Sequence, residues 1–466
     1  MCSELFRIPY EWGGVPIFGF GVLLAIWAVA SSATLAGLVR RHGWSGETWS
    51  SVPVLLLLGA AIVFLPKIFP DGLPVRGYGL MLLAGIVAGV GLAMHRARHI
   101  GLDADTVLSM AVWLVVCGVI GARLFYVVYN WDEKFARAGL LEILNVPEGG
   151  LVIYGALFGA AFGVALFARK QRLPLLAIAD LVAPSLMVGL ALGRVGCLLN
   201  GCCYGGQSDL PWAVTFPKYS SPFESGGRHS PRYSPPYADQ AMRGELHGFR
   251  LESPAGGAVV VSRVEPGTAA DAAGLERGHA IQSIDGVTVE SLDQAKDLVF
   301  SDFLAGWPVR LQLDTGVLVE VPAVTAPERS RPVHPAQLYS ALDAALLGWL
   351  LWSYYPFRRR DGELLALLLT IHPVTRFLLE YIRVDEPDVF GTRLSISQNI
   401  SIFLFVTALG LWWYVLRRPS GVVWLMDVAD PPGRGGPAEN QARPARSGTK
   451  PGSPPLARPN SPGRRP

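Results

Sequence analysis

This chain predicts an all-α polytopic membrane protein of about nine transmembrane helices, interrupted by an extracytoplasmic α+β insertion. Three observations support that fold class. Hydrophobic residues make up 51% of the 466 and charged residues only 17%, and mean hydropathy is +0.34, which is too apolar for an ordinary soluble domain. Nine segments approach the roughly 20 apolar residues that a helix needs to cross a bilayer. One long stretch, 206–333, is instead polar and rich in Pro, Gly and Ser.

The nine segments lie near 16–38, 51–67, 77–96, 106–129, 151–169, 176–200, 335–355, 363–382 and 396–416; the second is short and interrupted by Pro66. Basic residues set their orientation. Arg40 and Arg41, Arg96 and Arg98, Arg169, Lys170 and Arg172, Arg358 to Arg360, and Arg417 and Arg418 fall at every second loop. The positive-inside rule puts such loops in the cytoplasm. The N-terminus and the insertion are then outside, and the C-terminus is inside. "VPIFGFGVLLAIWAV" from Val15 echoes "LPVRGYGLMLLAGIV" from Leu73, either as a partial duplication or as shared membrane-entry chemistry. No secretory signal peptide is expected, because the first apolar stretch lacks a basic leader and a cleavage site. Five cysteines, with Cys197, Cys202 and Cys203 clustered, are no disulfide framework. The small net charge of +3 points to no nucleic-acid partner.

Within the insertion, residues 250–324 alternate apolar positions in short strands, then give an Ala/Leu helix and a turn at Asp285-Gly286. "VEPGTAADAAGL", the G-x-x-I at Gly278–Ile281 and "IDG" resemble a bacterial PDZ domain, with His279 where that family usually has Asp. The resemblance implies strand-addition binding of an extended peptide, with a degenerate spacer module as the alternative. The tail from about Pro431, Pro/Gly/Arg-rich and without apolar periodicity, is expected to be disordered and cytoplasmic.

Candidate chemistry sits where polar residues interrupt the apolar segments. Arg194, in "GRVGCLLNGCCYG" at the end of the sixth segment, is the strongest, since an intramembrane arginine is costly. An anionic lipid headgroup is its natural ligand. "RGYGLM" opens the third segment with Tyr78. "EGGLVIYGALFG" opens the fifth with Tyr154, and there Gly155 and Gly159 have small-xxx-small spacing. "HPAQLYSALD" opens the seventh with His334, and "HPVTRFLLEYIR" puts Arg376 and Glu380 four apart, with Arg383 a turn further. Tyr78, Tyr154, Arg194, His334 and Arg383 all fall toward the outer face. Cys197, Cys202 and Cys203 suit zinc by softness but lack C-x-x-C spacing and a fourth ligand. They read as packing residues, and no metal is expected.

Together these motifs resemble the bacterial prolipoprotein diacylglyceryl transferase family. Its signature, similar to G-R-x-G-N-F-x-N-G-E-x-x-G, matches Gly193, Arg194, Gly196, Asn200, Gly201 and Gly205. A His-Pro-x-Gln-Leu-Tyr run matches His334, Pro335, Gln337, Leu338 and Tyr339. An R-x-x-x-E-x-x-R helix followed by Pro-Asp matches Arg376, Glu380, Arg383, Pro387 and Asp388. Tyr78–Met81, Arg123 (in Gly121-Ala122-Arg123), Asp180 and Pro184 complete the set.

The resemblance implies transfer of a diacylglyceryl group from phosphatidylglycerol to the lipobox cysteine thiol of a prolipoprotein at the bacterial inner membrane, with no cofactor. It implies catalytic roles for Arg194, Arg376, His334, Tyr78 and Glu380. Substrate contacts are implied for Arg194, Arg123, Tyr154, Asn200, Gly205, Gln337 and Arg383. Expected partners are the phospholipid, signal-peptide substrates and a peptide for the PDZ-like module.

The implied organisation is two extra helices in 1–70, a transferase core in 71–205 and 334–418, the insertion in 206–333, and a basic tail in 419–466. Departures from the pattern are Cys197 for Asn, Cys202 for Glu, Tyr154 for His and His372 for Tyr. They keep open a second reading, a catalytically altered homologue that binds phospholipid and serves as an adaptor. The eight histidines include no H-E-x-x-H pair, which argues against a metalloprotease. The local echo is too short for a transporter's repeated halves.

Overall fold

The computed structural model describes residues 3–44, 46–68, 72–131, 135–136, 140–143, 150, 152–220, 233–254, 257–383, 388–389 and 394–422. The tail beyond 422, Cys2, Glu148 and Pro387 lie outside the described residues. The chain opens with strand β1 (Glu4–Ile8) and a small hairpin, β2 (Glu11–Trp12) and β3 (Val15–Pro16). Helices α1 (Val22–His42) and α2 (Gly46–Ile68) follow and pack on each other. Strand β4 (Leu73–Arg76) leads into α3 (Gly77–His99), followed by α4 (Ala104–Tyr129), one turn α5 (Leu140–Ile143), α6 (Ile153–Lys170) and α7 (Leu175–Asn200). After the insertion come α11 (Ala336–Tyr354), α12 (Glu363–Glu380), the short strands β11 (Asp388–Val389) and β12 (Leu394–Ser395), and α13 (Ile396–Arg417).

A helix therefore stands at each of the nine expected positions. Among the described residues, six are long and apolar enough to cross a membrane: Val22–Arg40 within α1, and α3, α4, α6, α7 and α13. Two starts differ, and the second helix begins at Gly46 rather than 51. The first helix starts at Val22 rather than 16, because Val15 and Pro16 pair in the β2–β3 hairpin and Gly21 is the N-cap. Strand β1 pairs with β4 across the expected boundary at residue 70, and Gly77 donates its N–H to the Ser3 carbonyl at 2.9 Å, which anchors the start of α3.

Helix α7 is the hub. It packs on α3, α6, α11 and α12, and 44% of its membrane window is buried, against none for α1. Close approach explains the glycine spacing. On α4 and α6 a Cβ added at Gly121 would sit 2.8 Å from the Gly159 Cα, so the Gly155/Gly159 stripe is a packing seam. Asp180, fully buried on α7, accepts the N–H groups of Gly362 (2.7 Å) and Leu365 (3.0 Å) and so satisfies the start of α12. At the same end Arg96 lies between the rings of Trp352 and Tyr355, 3.8 Å from each centroid.

The insertion holds α8 (Pro235–Met242), β5 (Phe249–Glu252), β6 (Val260–Val264), a turn of helix α9 (Ala269–Ala272), β7 (Ile281–Ile284), β8 (Val287–Thr288), α10 (Leu292–Ala305), β9 (Val309–Leu313) and β10 (Leu318–Val321). Strands β10-β9-β7-β8 form one antiparallel sheet and β5-β6 a second, around a core that includes Leu251, Val261, Ile284, Val299 and Leu311. Asp285 and Gly286, both at positive φ (50° and 80°), make the β7–β8 turn. Helix α10 is capped by Ser291, which accepts the Gln294 N–H.

Candidate active site at the Arg194 end of the bundle

Three motifs far apart in sequence meet through Gly205 and Gly206. The Gly205 N–H donates to the His334 carbonyl, the Gly206 N–H to the Ile382 carbonyl and the His334 N–H back to the Gly206 carbonyl, each at 2.9 Å. A Cβ on Gly205 would meet the His334 Cβ at 2.7 Å and the Ile382 carbonyl oxygen at 2.9 Å, so only glycine fits the stitch. Gly205 is thus a close-packing residue.

On the α12 side, Arg376 pairs with Glu380 through Nη1 and donates from Nη2 to the Ser397 Oγ at 2.7 Å. Tyr154 of α6 shares a hydrogen bond with the same Ser397 hydroxyl. Arg383 lies 3.8 Å from Glu380. The result is one buried network, Tyr154–Ser397–Arg376–Glu380–Arg383, spanning α6, α12 and α13. Ser397 is a residue that motif reading missed. Its only sequence signal is its place two residues after the N-cap Ser395, whose capping box with Gln398 starts α13.

On the α7 side, Arg194 lies within electrostatic reach of Tyr78 and Cys203, and its buried Nε has no hydrogen-bond partner among the described residues. Tyr78, at the start of α3, is 40% exposed. Gly201 ends α7 in the left-handed conformation (φ 74°) and the Cys202 N–H returns to the Cys197 carbonyl at 3.1 Å. Cys203 is also left-handed (φ 60°). These two reversals bring the sulfurs of Cys197, Cys202 and Cys203 within 4.8 Å of one another. The expectation that they serve only as packing residues fails to foresee this, because Cys197 and the vicinal pair converge only when the helix end folds back. Hydrogen bonding from Cys197 and then Cys202 holds the Cys203 thiol below the usual thiol range, and Arg383 and Arg194 add to it. The Asn200 side chain reaches Cys202.

Three further expected site residues make contacts within the protein. Buried Arg123 donates from Nε to the Ile143 carbonyl (2.8 Å) and from Nη2 to the Glu142 carbonyl (2.8 Å), and its Nη1 reaches the Gly150 carbonyl at 3.3 Å. Its guanidinium thus ties α4 to α5 and to Gly150 ahead of α6. Gln337, 1% exposed, donates to the Cys202 carbonyl at 2.7 Å and fixes the cysteine loop. The His334 Nδ1 lies 3.4 Å from the Tyr339 hydroxyl, which receives the Trp212 Nε1–H at 2.7 Å. His372, on α12, sits 3.9 Å from Asp343 of α11.

The insertion joins this end directly. The Tyr204 hydroxyl donates to Asp239 on α8 at 2.9 Å, and the Gln207 amide to Glu245 at 2.7 Å. Burial raises Glu245 above the usual carboxylate range, which Arg250 opposes. The outer edge of β5 is covered by the chain itself: the Leu251 N–H donates to the Arg243 carbonyl at 3.0 Å. Tyr237 and Ala241 of α8 pack with Leu246 and Phe303 of α10, with Tyr233 and Phe300 alongside.

What this end offers chemically is cationic: three arginines, one carboxylate and a set of thiols at the end of a membrane bundle. Such a set suits an anionic group leaving from a lipid. A family model described as prolipoprotein diacylglyceryl transferase matches residues 66–414. The phosphatidylglycerol–prolipoprotein diacylglyceryl transferase of Rhodopirellula baltica is 32% identical over 452 residues, covering 88% of this chain and 88% of the relative. The proteins of that name from Synechococcus elongatus (37% over 145 residues, 31% of this chain, 50% of the relative) and Clostridium tetani (37% over 158 residues, 34% and 61%) match shorter stretches. The chain belongs to the prolipoprotein diacylglyceryl transferase family.

Proposed function

We propose that this protein transfers the diacylglyceryl group of phosphatidylglycerol to the lipobox cysteine thiol of prolipoproteins. The observation that carries this reading is the convergence of Arg194, Arg376, Arg383 and Glu380 at one end of the bundle. The acceptor sulfur attacks the glyceryl carbon that bears the phosphate ester. A C–S bond forms, the C–O bond breaks, and the electron pair leaves on glycerol phosphate. Arg194, whose Nε keeps an unused donor, faces that leaving charge. Arg376, held by Glu380 and Ser397, supplies a fixed second cation. Tyr78, partly exposed beside Arg194, lines the approach for lipid.

The proposed topology is nine spans in a bacterial inner membrane, with the N-terminus and insertion outside and the C-terminus in the cytoplasm. Its support is that basic residues cluster at the ends of α3, α6 and α13 opposite the Arg194 site. The transferase core then comprises 71–205 and 334–418, with 1–70 an accessory pair of helices. The insertion is proposed as PDZ-like over about 250–324. A peptide ligand adding to β5 must displace Arg243 and Gly244, whose carbonyls take the Leu251 and Phe249 N–H groups at the end of α8, so recruitment is coupled to opening of the Tyr204–Asp239 contact.

The test is transfer of labelled diacylglycerol from phosphatidylglycerol to a lipobox peptide by the purified protein, with Arg194→Ala as control. Label on the peptide cysteine, absent in the control, supports the transferase. Phospholipid binding by a folded protein without any transfer overturns it in favour of the adaptor reading.

A further inference from the structure

We propose that Cys197, Cys202 and Cys203 form a tri-thiolate zinc site whose fourth position takes the acceptor thiol of the substrate; this rests on the transferase reading above. The sulfurs already lie within 4.8 Å of one another. Zinc–sulfur bonds of about 2.3 Å in a tetrahedral arrangement put sulfurs about 3.8 Å apart, so the side chains need contract by about 1 Å or less. The backbone that presents them is fixed rather than loose. Gly201 and Cys203 are both left-handed, the Cys202 N–H is tied to the Cys197 carbonyl, and the Cys202 carbonyl is tied to the amide of fully buried Gln337. A non-glycine residue held at positive φ is uncommon and persists where its surroundings over-determine it, often at a ligand clamp.

The donor set selects the metal class. Three thiolates are soft ligands that favour Zn²⁺ or Cu⁺ over Mg²⁺ or Ca²⁺. Three protein ligands leave an open position, as catalytic zinc sites do. Three thiolates around Zn²⁺ carry a net charge of −1, and Arg194 and Arg383 lie within electrostatic reach of Cys203 to offset it.

An open zinc position solves the remaining chemical need of the reaction. A thiol is a poor nucleophile until it loses its proton, and a metal-coordinated thiol is deprotonated outright. The lipobox thiol binds as thiolate and releases one proton to water. Its sulfur then forms the C–S bond with the glyceryl carbon while the C–O bond breaks toward the phosphate oxygen, whose charge is taken by Arg194. No electron is gained or lost by the metal.

The test uses the purified full-length protein in detergent, with thiols kept reduced and metal removed, titrated with Co²⁺. One equivalent is expected to give a thiolate-to-Co²⁺ charge-transfer band that Zn²⁺ abolishes. Cys197→Ser and Cys203→Ser should lose the band, and Cys117→Ser on α4 should keep it. A lipobox peptide should shift the visible Co²⁺ bands, and the same peptide with serine for cysteine should not. Transfer by the Zn²⁺-loaded protein should exceed that of the stripped protein by about tenfold or more. No band with reduced thiols, a persistent disulfide among the three cysteines in the native protein, or equal transfer with and without metal would each overturn the zinc site. A Co²⁺ spectrum that responds to the cysteine peptide without any transfer upholds the site and overturns the transferase reading instead.

Discussion

The two ends of the helical bundle carry similar side chains and use them in opposite ways. At one end Arg96 is clamped between Trp352 and Tyr355 and donates to the Trp352 carbonyl at 2.9 Å, while Arg358 lies 3.9 Å from both Asp180 and Asp361. Asp180 spends both oxygens on the start of α12, and Glu363 receives the Tyr354 hydroxyl (3.2 Å) and the Arg359 N–H (3.0 Å). At the other end, about 20 Å along α7 at 1.5 Å per residue, three thiols face Arg194 and Arg383. The first end locks helices together. The second gathers Arg194, Arg383 and three thiols around one helix end, the set assigned above to the substrate.

The contrast can be broken most sharply at Arg194. Arg194→Ala should lower transfer by about a hundredfold or more, the scale of losing one charge-stabilising donor, and leave thermal stability near that of the parent. A large fall in melting temperature alongside the lost transfer would make Arg194 a structural residue and erase the distinction. Asp180→Ala should do the reverse. It strands two buried N–H groups and Arg358, costing about 3–5 kcal/mol, with transfer per folded molecule retained; unchanged thermal unfolding in matched detergent would sink this.

A third prediction concerns the insertion. His247, 1% exposed and with neither ring nitrogen hydrogen-bonded among the described residues, is lowered by burial to about 4. Its contribution to stability is full above pH 6.5 and is lost as pH falls toward 4, because the unfolded chain binds the proton first. Asp302 is raised to about 7 by burial and by its neighbour Asp285, so its contribution is full below pH 3.8 and is lost as pH rises through 7. The two slopes oppose each other between pH 4 and 6.5. Asp302→Asn should leave the His247 slope alone, so that stability of the insertion climbs by roughly 3 kcal/mol over that window. Hydrogen exchange of the β7 and β9 amides in the full-length protein measures this, and a slope as flat as the parent's would count against it.

The smallest effect is expected at the joint between insertion and core. Tyr204→Phe removes the bond to Asp239 and should cost about 1 kcal/mol, while increasing exchange of α8 amides relative to those of α7. Equal protection of both helices would mean that the contact does not couple them.

Much of the fold was legible before any coordinates. Apolar runs of helical length, punctuated by arginines, specify helices at nine places because a bilayer leaves the backbone few alternatives. The α1 start differs from the expected one because Val15 and Pro16 are apolar enough to extend the run, whereas their pairing in a hairpin is decided by Gly13 and Gly14 at positive φ. The motif residues Arg194, Arg376, Glu380 and Arg383 were legible because charge inside an apolar segment is costly and stands out.

What sequence alone determined was therefore composition-driven: a polytopic helical core, a polar α+β insertion with its Asp285-Gly286 turn, and the short list of intramembrane charges. Tertiary structure alone decided which groups meet. It spent Asp180 on a helix start and Arg123 on neighbouring carbonyls, recruited Ser397 into the arginine network, covered the β5 edge with Arg243 and Gly244, and gathered three sulfurs beside Arg194 and Arg383. Pattern and propensity are local properties of the chain. The partner of a buried polar group is set by how separate segments pack, whether 20 residues apart as for Arg123 and Ile143 or 182 as for Asp180 and Gly362, which no local signal encodes.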